Sequence, residues 1–252
     1  METENKKGMG WVKQAHDSRD IKYAYANKRF KRQVDLRCYC PDVYDQKSLG
    51  SCSAFATSAA IEMVQIMYKT PPAAHISPSK LFMYYVSRKL EGTIKEDAGA
   101  VLRDVFKAVN TNGFVDEIHY PYIEKKFADE PSLDICRLAQ MKNIIYHSVD
   151  QNLTAMRHCL SSGKPIVVGF SVYSNLDRVG KDGILTMPDT TNDAFNGGHA
   201  VLVVGYDYDK RHFIVRNSWS NQWGDKGYFY MPFDYLLSPS LAADFWTVDL
   251  TE

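Results

Sequence analysis

The stretch CSAFATSAAIEMVQIMY, residues 52 to 68, runs seventeen residues without glycine or proline and constrains this chain more than any other feature. Phe55, Ala59, Met63 and Ile66 or Met67 recur at helical spacing, which predicts a helix over 52–68. Its other faces are small or apolar as well, and a helix apolar nearly all round must lie inside the molecule. The surrounding fold therefore needs a large apolar complement. The chain has one: 45% of its 252 residues are hydrophobic and 13% aromatic, enough for one large core or two packed halves.

Ser77 before Pro78 marks the start of a second helix, over 77–90, with proline in its first turn. Residues 98–111 predict a third, ended by Asn112 and Gly113, and 151–163 a shorter fourth, closed by Gly163. The character then changes. PIVVGFSVY, HAVLVVGYDY, RHFIVRNSW and KGYFYM are short runs rich in Val, Ile, Tyr and Phe, punctuated by Gly, Asn and Asp, and read as strands. The order predicts an α+β fold: a mostly helical half over about 45–150, then a mostly β half over about 151–252. Residues 1–33 are polar, rich in Lys, Arg and Asn, and read as an N-terminal leader anchored by Trp11. The domain proper begins at 34, with extended chain to 45 broken by Pro41.

Thirty Lys and Arg balance thirty Asp and Glu, so no basic footprint for nucleic acid is present, nor a polybasic membrane tether. Residues 1–20 have no continuous apolar core and no segment approaches the ~20 apolar residues of a membrane span. The expectation is a monomer, cytoplasmic or exported by a non-classical route. Of five cysteines, an odd number, Cys38, Cys40, Cys136 and Cys159 read as buried inert thiols or one disulfide. A lone C-x-C is too weak to predict zinc, and no metal or cofactor is expected.

The fifth cysteine is Cys52, at the first position of the predicted helix. Most cysteines are small buried hydrophobes. This one follows Gly50 and Ser51, which implies backbone close by and access to solvent. The positive end of the helix would stabilise its thiolate and lower its pKa. A thiol nucleophile works with an imidazole that carries the proton. Of seven histidines, His199 stands out in NGGHAVLVVGYD, at the mouth of an apolar strand entered through Gly197 and Gly198. Asn217, in VRNSWSNQWGDKGYFY, offers a side-chain oxygen to hold the imidazole, with Trp219 to shield that bond from water. Gln46, six residues before Cys52, offers N–H donors to an oxyanion, joined by the free Cys52 N–H.

Gln46, Cys52, His199 and Asn217, in that order, resemble the papain-like cysteine peptidases, most specifically across 46–56, 198–207 and 214–228, with NGFVDEIHYPY similar to a further family segment. The resemblance implies a peptide- or protein-cleaving thiol protease with a cleft between a helical half and an antiparallel β-barrel-like half. It makes Cys52 the nucleophile, His199 general base and acid, Asn217 the orienter and Gln46 the oxyanion donor. It also implies substrate contacts at Gly198, Gly99 and Trp219, and favours an apolar residue at the second position before the cut.

There are departures. Leu49 stands where secreted, lysosomal members carry half of a disulfide, and Ser53 stands where they carry tryptophan. The leader is far shorter than the usual pro-region. It is similar to that of a xylellain-like branch in which a short N-terminal segment lies over the cleft, so a zymogen is expected; the other reading is a disordered or packed arm with no regulatory role. Two other readings share the pattern: a relative that passes the acyl group to an amine, as a transpeptidase or ligase does, and a catalytically silent binding protein.

Overall fold

The computed structural model describes residues 8–25, 30–68, 75–140 and 144–250. Strand β1 (Trp11–Val12) lies in the leader, and β2 (Gln33–Asp35) opens the domain. Helix α1 (Cys52–Met67) matches the apolar run, and every residue from Cys52 to Gln65 is buried. Helix α2 (Lys80–Glu91) starts later than the sequence predicts. Ser79, not Ser77, is its N-cap, its hydroxyl accepting from Phe82 N at 3.1 Å, while Pro78 bridges to Asp116. The third helical segment also starts late. Gly99, at φ +76°, turns the chain in a conformation that side chains rarely adopt, and β3 (Ala100–Val101) precedes α3 (Leu102–Asn112).

Helix α4 (Leu133–Ala139) and strand β4 (Ile144–Ser148) follow, then α5 (Leu153–Ser161), capped by Asn152. The β half consists of β5 (Ile166–Tyr173), β6 (Phe195–Asp207), β7 (His212–Arg216), β8 (Tyr228–Pro232) and, after α6 (Phe233–Leu237), β9 (Ala242–Leu250). They form one antiparallel sheet in the order β4-β9-β5-β6-β7-β8, with β2 joined to β6. Helix α1 packs against β5, β6 and β9 as well as α2 and α3, so the buried helix is the contact between halves. That is why it is apolar on every side. β4, α4, α6 and β9 carry no strong periodicity and are set by packing.

All five cysteines are free, so the disulfide considered for the four outside the helix start is not formed. No helix among the described residues is long and apolar enough to cross a membrane.

One buried charge organises the helical half. Arg88 on α2 is fully buried and donates to the carbonyls of Ile94 (2.6 Å), Glu96 (2.9 Å), Tyr84 (3.3 Å) and Phe127. A buried carbonyl left without a donor costs roughly 1–3 kcal/mol. Arg88→Met keeps the apolar stem and removes every donor, and is expected to lower unfolding stability by about 3–5 kcal/mol in urea titrations. A loss below about 1 kcal/mol would show that water replaces the guanidinium.

Candidate active site

Cys52 opens α1 after a loop that the sequence makes rigid. Ser51 is the N-cap residue, yet its hydroxyl bonds Tyr122 Oη at 2.8 Å and caps no helical N–H. Tyr122 Oη in turn donates to Gln46 O at 2.8 Å. The first amides of α1 are thus left free at the thiol, as a helix end without a side-chain cap dictates. His199 lies within β6, inside the strand and not at its mouth, and is fully buried. The next residue, Ala200, donates its N–H to Cys52 Sγ at 3.3 Å. Two residues remote in sequence, one from each half, meet across the α1–β6 contact.

Asn217 Oδ1 lies 2.8 Å from His199 Nε2 and also accepts from Ser218 N at 2.8 Å. A carbonyl oxygen only accepts, so Nε2 carries the hydrogen in the neutral ring and Nδ1 keeps a lone pair. Nδ1 is buried and has no hydrogen-bond partner among the described residues. Trp219 stacks on the imidazole, with ring centroids 4.7 Å apart and planes at 23°. It is buried behind the ring, where it keeps water from the His199–Asn217 bond, and does not line an open groove.

Gln46 is buried. Its Oε1 accepts from Ser218 Oγ at 2.6 Å, fixing the amide so that Nε2 points toward Cys52's loop. Nε2 donates to Leu49 O (3.0 Å) and to Gly8 O (3.1 Å), and Gly8 belongs to the leader. The leader crosses the site over residues 8–14. Gly8 N donates to Lys47 O, and β1 pairs in parallel with β3. Ala100 N reaches Gly10 O at 2.9 Å, and Trp11 Nε1 and Gln14 N both reach Asp244 Oδ2, at 2.8 and 3.0 Å. A Cβ on Gly10 would stand 1.7 Å from Gly50 O, and one on Gly198 2.4 Å from Trp11 O. Gly99 and Gly198 therefore lie under the leader, Gly99 at Gly10 and Gly198 at Trp11. The sequence signal that was missed is Gly8-Met9-Gly10, two glycines in a polar arm where backbone meets backbone.

Further on the arm is stapled to the domain. Asp20 makes a two-pronged pair with Arg103 (2.8 and 2.6 Å), and Tyr23 bonds Ser148 through its N–H and His158 Nδ1 through its hydroxyl.

Under this cover the expected solvent access of Cys52 is absent, and so is the lowered thiol pKa. Burial pushes the Cys52 thiol up to about 11, against the pull of the Ala200, Gly10, Ser53 and Cys52 amides, and pushes His199 down to about 4 against the Asn217 bond. Removing water disfavours both charged forms more than a helix end offsets. Between those values thiol and imidazole are both neutral. Alkylation of Cys52 by iodoacetamide in the full chain is therefore expected to climb about tenfold per pH unit without levelling off below pH 10. A plateau below pH 8 would contradict the buried, neutral pair.

A family model described as papain family cysteine protease matches residues 30–235. An uncharacterized peptidase C1-like protein of Acanthamoeba polyphaga mimivirus is 32% identical over 272 residues, covering 96% of this chain and 86% of its own. Cathepsin K of Gallus gallus is 31% identical over 75% of this chain, which spans 54% of that protein's length. The crystal structure of xylellain, a cysteine protease from Xylella fastidiosa, superposes with a TM-score of 0.90 at 36% identity, covering 100% of this chain and 99% of the other.

Proposed function

Because this chain belongs to the papain family of cysteine proteases, and is thereby a cysteine peptidase, we propose that it hydrolyses peptide bonds with Cys52 as nucleophile, His199 as proton carrier, Asn217 as orienter and Gln46 as oxyanion donor. The observation that carries this reading is the single hydrogen bond that leaves one ring nitrogen of His199 bare. Asn217 holds the Nε2–H tautomer, so Nδ1 is a base with nothing else to do.

The reaction follows from these groups. Nδ1 takes the Cys52 proton as Sγ attacks the carbonyl carbon, and the C=O electrons move onto oxygen. Gln46 Nε2 and the Cys52 N–H donate to that oxyanion. The imidazolium returns the proton to the leaving amine, the C–N bond breaks and a thioester remains. Nδ1 then deprotonates a water, whose oxygen displaces sulfur and yields the acid. Each donor in such a hole is worth ~10²–10³ in kcat.

The leader is part of the proposal. With Gly8 O on the Gln46 amide and Gly10 against Gly50 and Gly99, residues 8–14 stand where a peptide substrate would lie, and the enzyme is a zymogen closed by its own chain. The movable portion ends near residue 14, because 17–25 are bonded to α3, β4 and α5.

The test is covalent. An epoxide that reacts with papain-type thiols is added to the full chain and to a Gly10→Val chain, each with and without His199→Ala, and the adduct is mapped by mass spectrometry. One adduct on Cys52, fast in Gly10→Val and slowed by His199→Ala, is expected. Rapid labelling that His199→Ala leaves unchanged would remove His199 from the mechanism.

A further inference from the structure

Nothing covalent joins the nucleophile's loop to the segment carrying Gly99, since all five cysteines are free and Leu49 is a buried apolar side chain. A polar bridge runs there instead. Gly50 N–H, two residues before Cys52, donates to both carboxylate oxygens of Asp97, each at 3.0 Å. Tyr84 Oη donates to Asp97 Oδ1 at 2.5 Å and itself accepts from Gly99 N at 3.2 Å. Burial and the adjacent carboxylate push the Tyr84 phenol well up, so it keeps its proton and donates to Asp97. The bridge thus reads Gly99 N–H to Tyr84 O–H to Asp97, with Gly50 N–H arriving from the other side.

We infer that Asp97 is a positioning residue for the reaction, holding the backbone that leads into Cys52 at a fixed spacing from Gly99 through Tyr84. This rests on the peptidase reading above.

A carboxylate on a loose surface loop would hold nothing, and residues 92–98 have no helix or strand of their own. Their rigidity comes from below. The buried Arg88 guanidinium fixes the carbonyls of Ile94 and Glu96, on either side of Lys95, and stacks 4.0 Å over the Tyr84 ring. Arg88 so anchors both members of the bridge. The other braces on the same loop act at other points: Tyr122 bonds Gln46 O and Ser51 Oγ, and Glu124 takes Ser48 N–H and hydroxyl. None of these bonds reaches Gly99. Through this bridge the position of the Cys52 N–H, one oxyanion donor, is tied to that of the Gly99 backbone, one wall of the cleft.

The two members have separable effects. Tyr84→Phe breaks only the Gly99 limb and leaves Gly50 on Asp97. Asp97→Leu keeps much of the volume, removes both acceptor oxygens and breaks both limbs, whereas an asparagine could keep both on its one amide oxygen, because Asp97 Oδ1 already accepts from Gly50 N and from Tyr84 Oη. Both are made in the full chain carrying Gly10→Val and read by hydrolysis of a fluorogenic dipeptide amide and by hydrogen-exchange mass spectrometry. Tyr84→Phe is expected to raise KM about five-fold with kcat within about twofold, and Asp97→Leu to raise KM similarly and lower kcat about tenfold. Asp97→Glu, which keeps the carboxylate, should recover part of that kcat. Exchange over 98–101 should quicken in both variants, and over 46–52 only in Asp97→Leu. Kinetic constants of Asp97→Leu within twofold of the parent overturn the inference, and so does a kcat loss that Asp97→Glu does not relieve. If the Gly10→Val parent cleaves no peptide at all, the peptidase reading is what has failed. The exchange pattern then decides alone, and equal exchange at 46–52 in all chains would refute the bridge.

Discussion

Gly10→Val is expected to raise the kcat/KM of the full chain for a small peptide amide by about 10²–10³. The substituent has nowhere to go: its Cβ would stand 1.7 Å from Gly50 O and 2.6 Å from Gly50 Cα, rigid backbone in the loop that leads into α1. The leader has to lift. What it forfeits is a set of hydrogen bonds, from Gln46 to Gly8, from Gly8 to Lys47, from Ala100 to Gly10 and from Trp11 and Gln14 to Asp244. The predicted factor corresponds to about 3–4 kcal/mol of closure lost with them. Trp11→Ala, which removes the indole bond to Asp244, should act in the same direction and more weakly. If Gly10→Val changes turnover by less than threefold while the protein stays folded, the leader does not close the site.

Cys52→Ala in that opened chain is expected to lower kcat by on the order of 10⁴–10⁶, to the level left by binding and the oxyanion donors alone. The size follows from the step lost. Without sulfur there is no thioester, and a bare imidazole base in a buried site has only water to activate. His199→Ala should cost nearly as much, and the double substitution little more than either, because the two groups act as one unit. Additive losses would mean that the thiol and imidazole work separately. A Cys52→Ala chain that retains more than about a hundredth of the activity would place the nucleophile elsewhere. Substrate binding to this variant is expected to be retained, because only the Sγ atom is removed, which makes it the form in which to identify a bound peptide.

Much of this was legible in the residues. The seventeen-residue run had to be a central helix because no face of it tolerates water, and α1 is buried from Cys52 to Gln65. Strand runs such as PIVVGFSVY and HAVLVVGYDY appear as β5 and β6 because their apolar residues pack on both faces of a covered sheet. Two helix starts were misread for the same local reason. A Ser-Pro pair and an Ala-rich stretch both suit a first turn, but Pro78 and Ala100 are taken by bridges to Asp116 and Trp11. Those partners lie 38 and 89 residues away in sequence, and no local rule sees them.

The site divides in the same way. The sequence alone determined which side chains are candidates for the chemistry, because a thiol opening a helix, an imidazole in an apolar strand run and an amide beside tryptophan are facts about residue types and order. Their environment was decided only by the tertiary structure. The helix end that should ease ionisation of Cys52 is outweighed by burial under a strand of the chain's own leader, and the thiol rises where the sequence predicts a fall. Desolvation depends on what covers a group, and what covers Cys52 comes from more than forty residues upstream, through glycines whose only signature is the absence of a side chain.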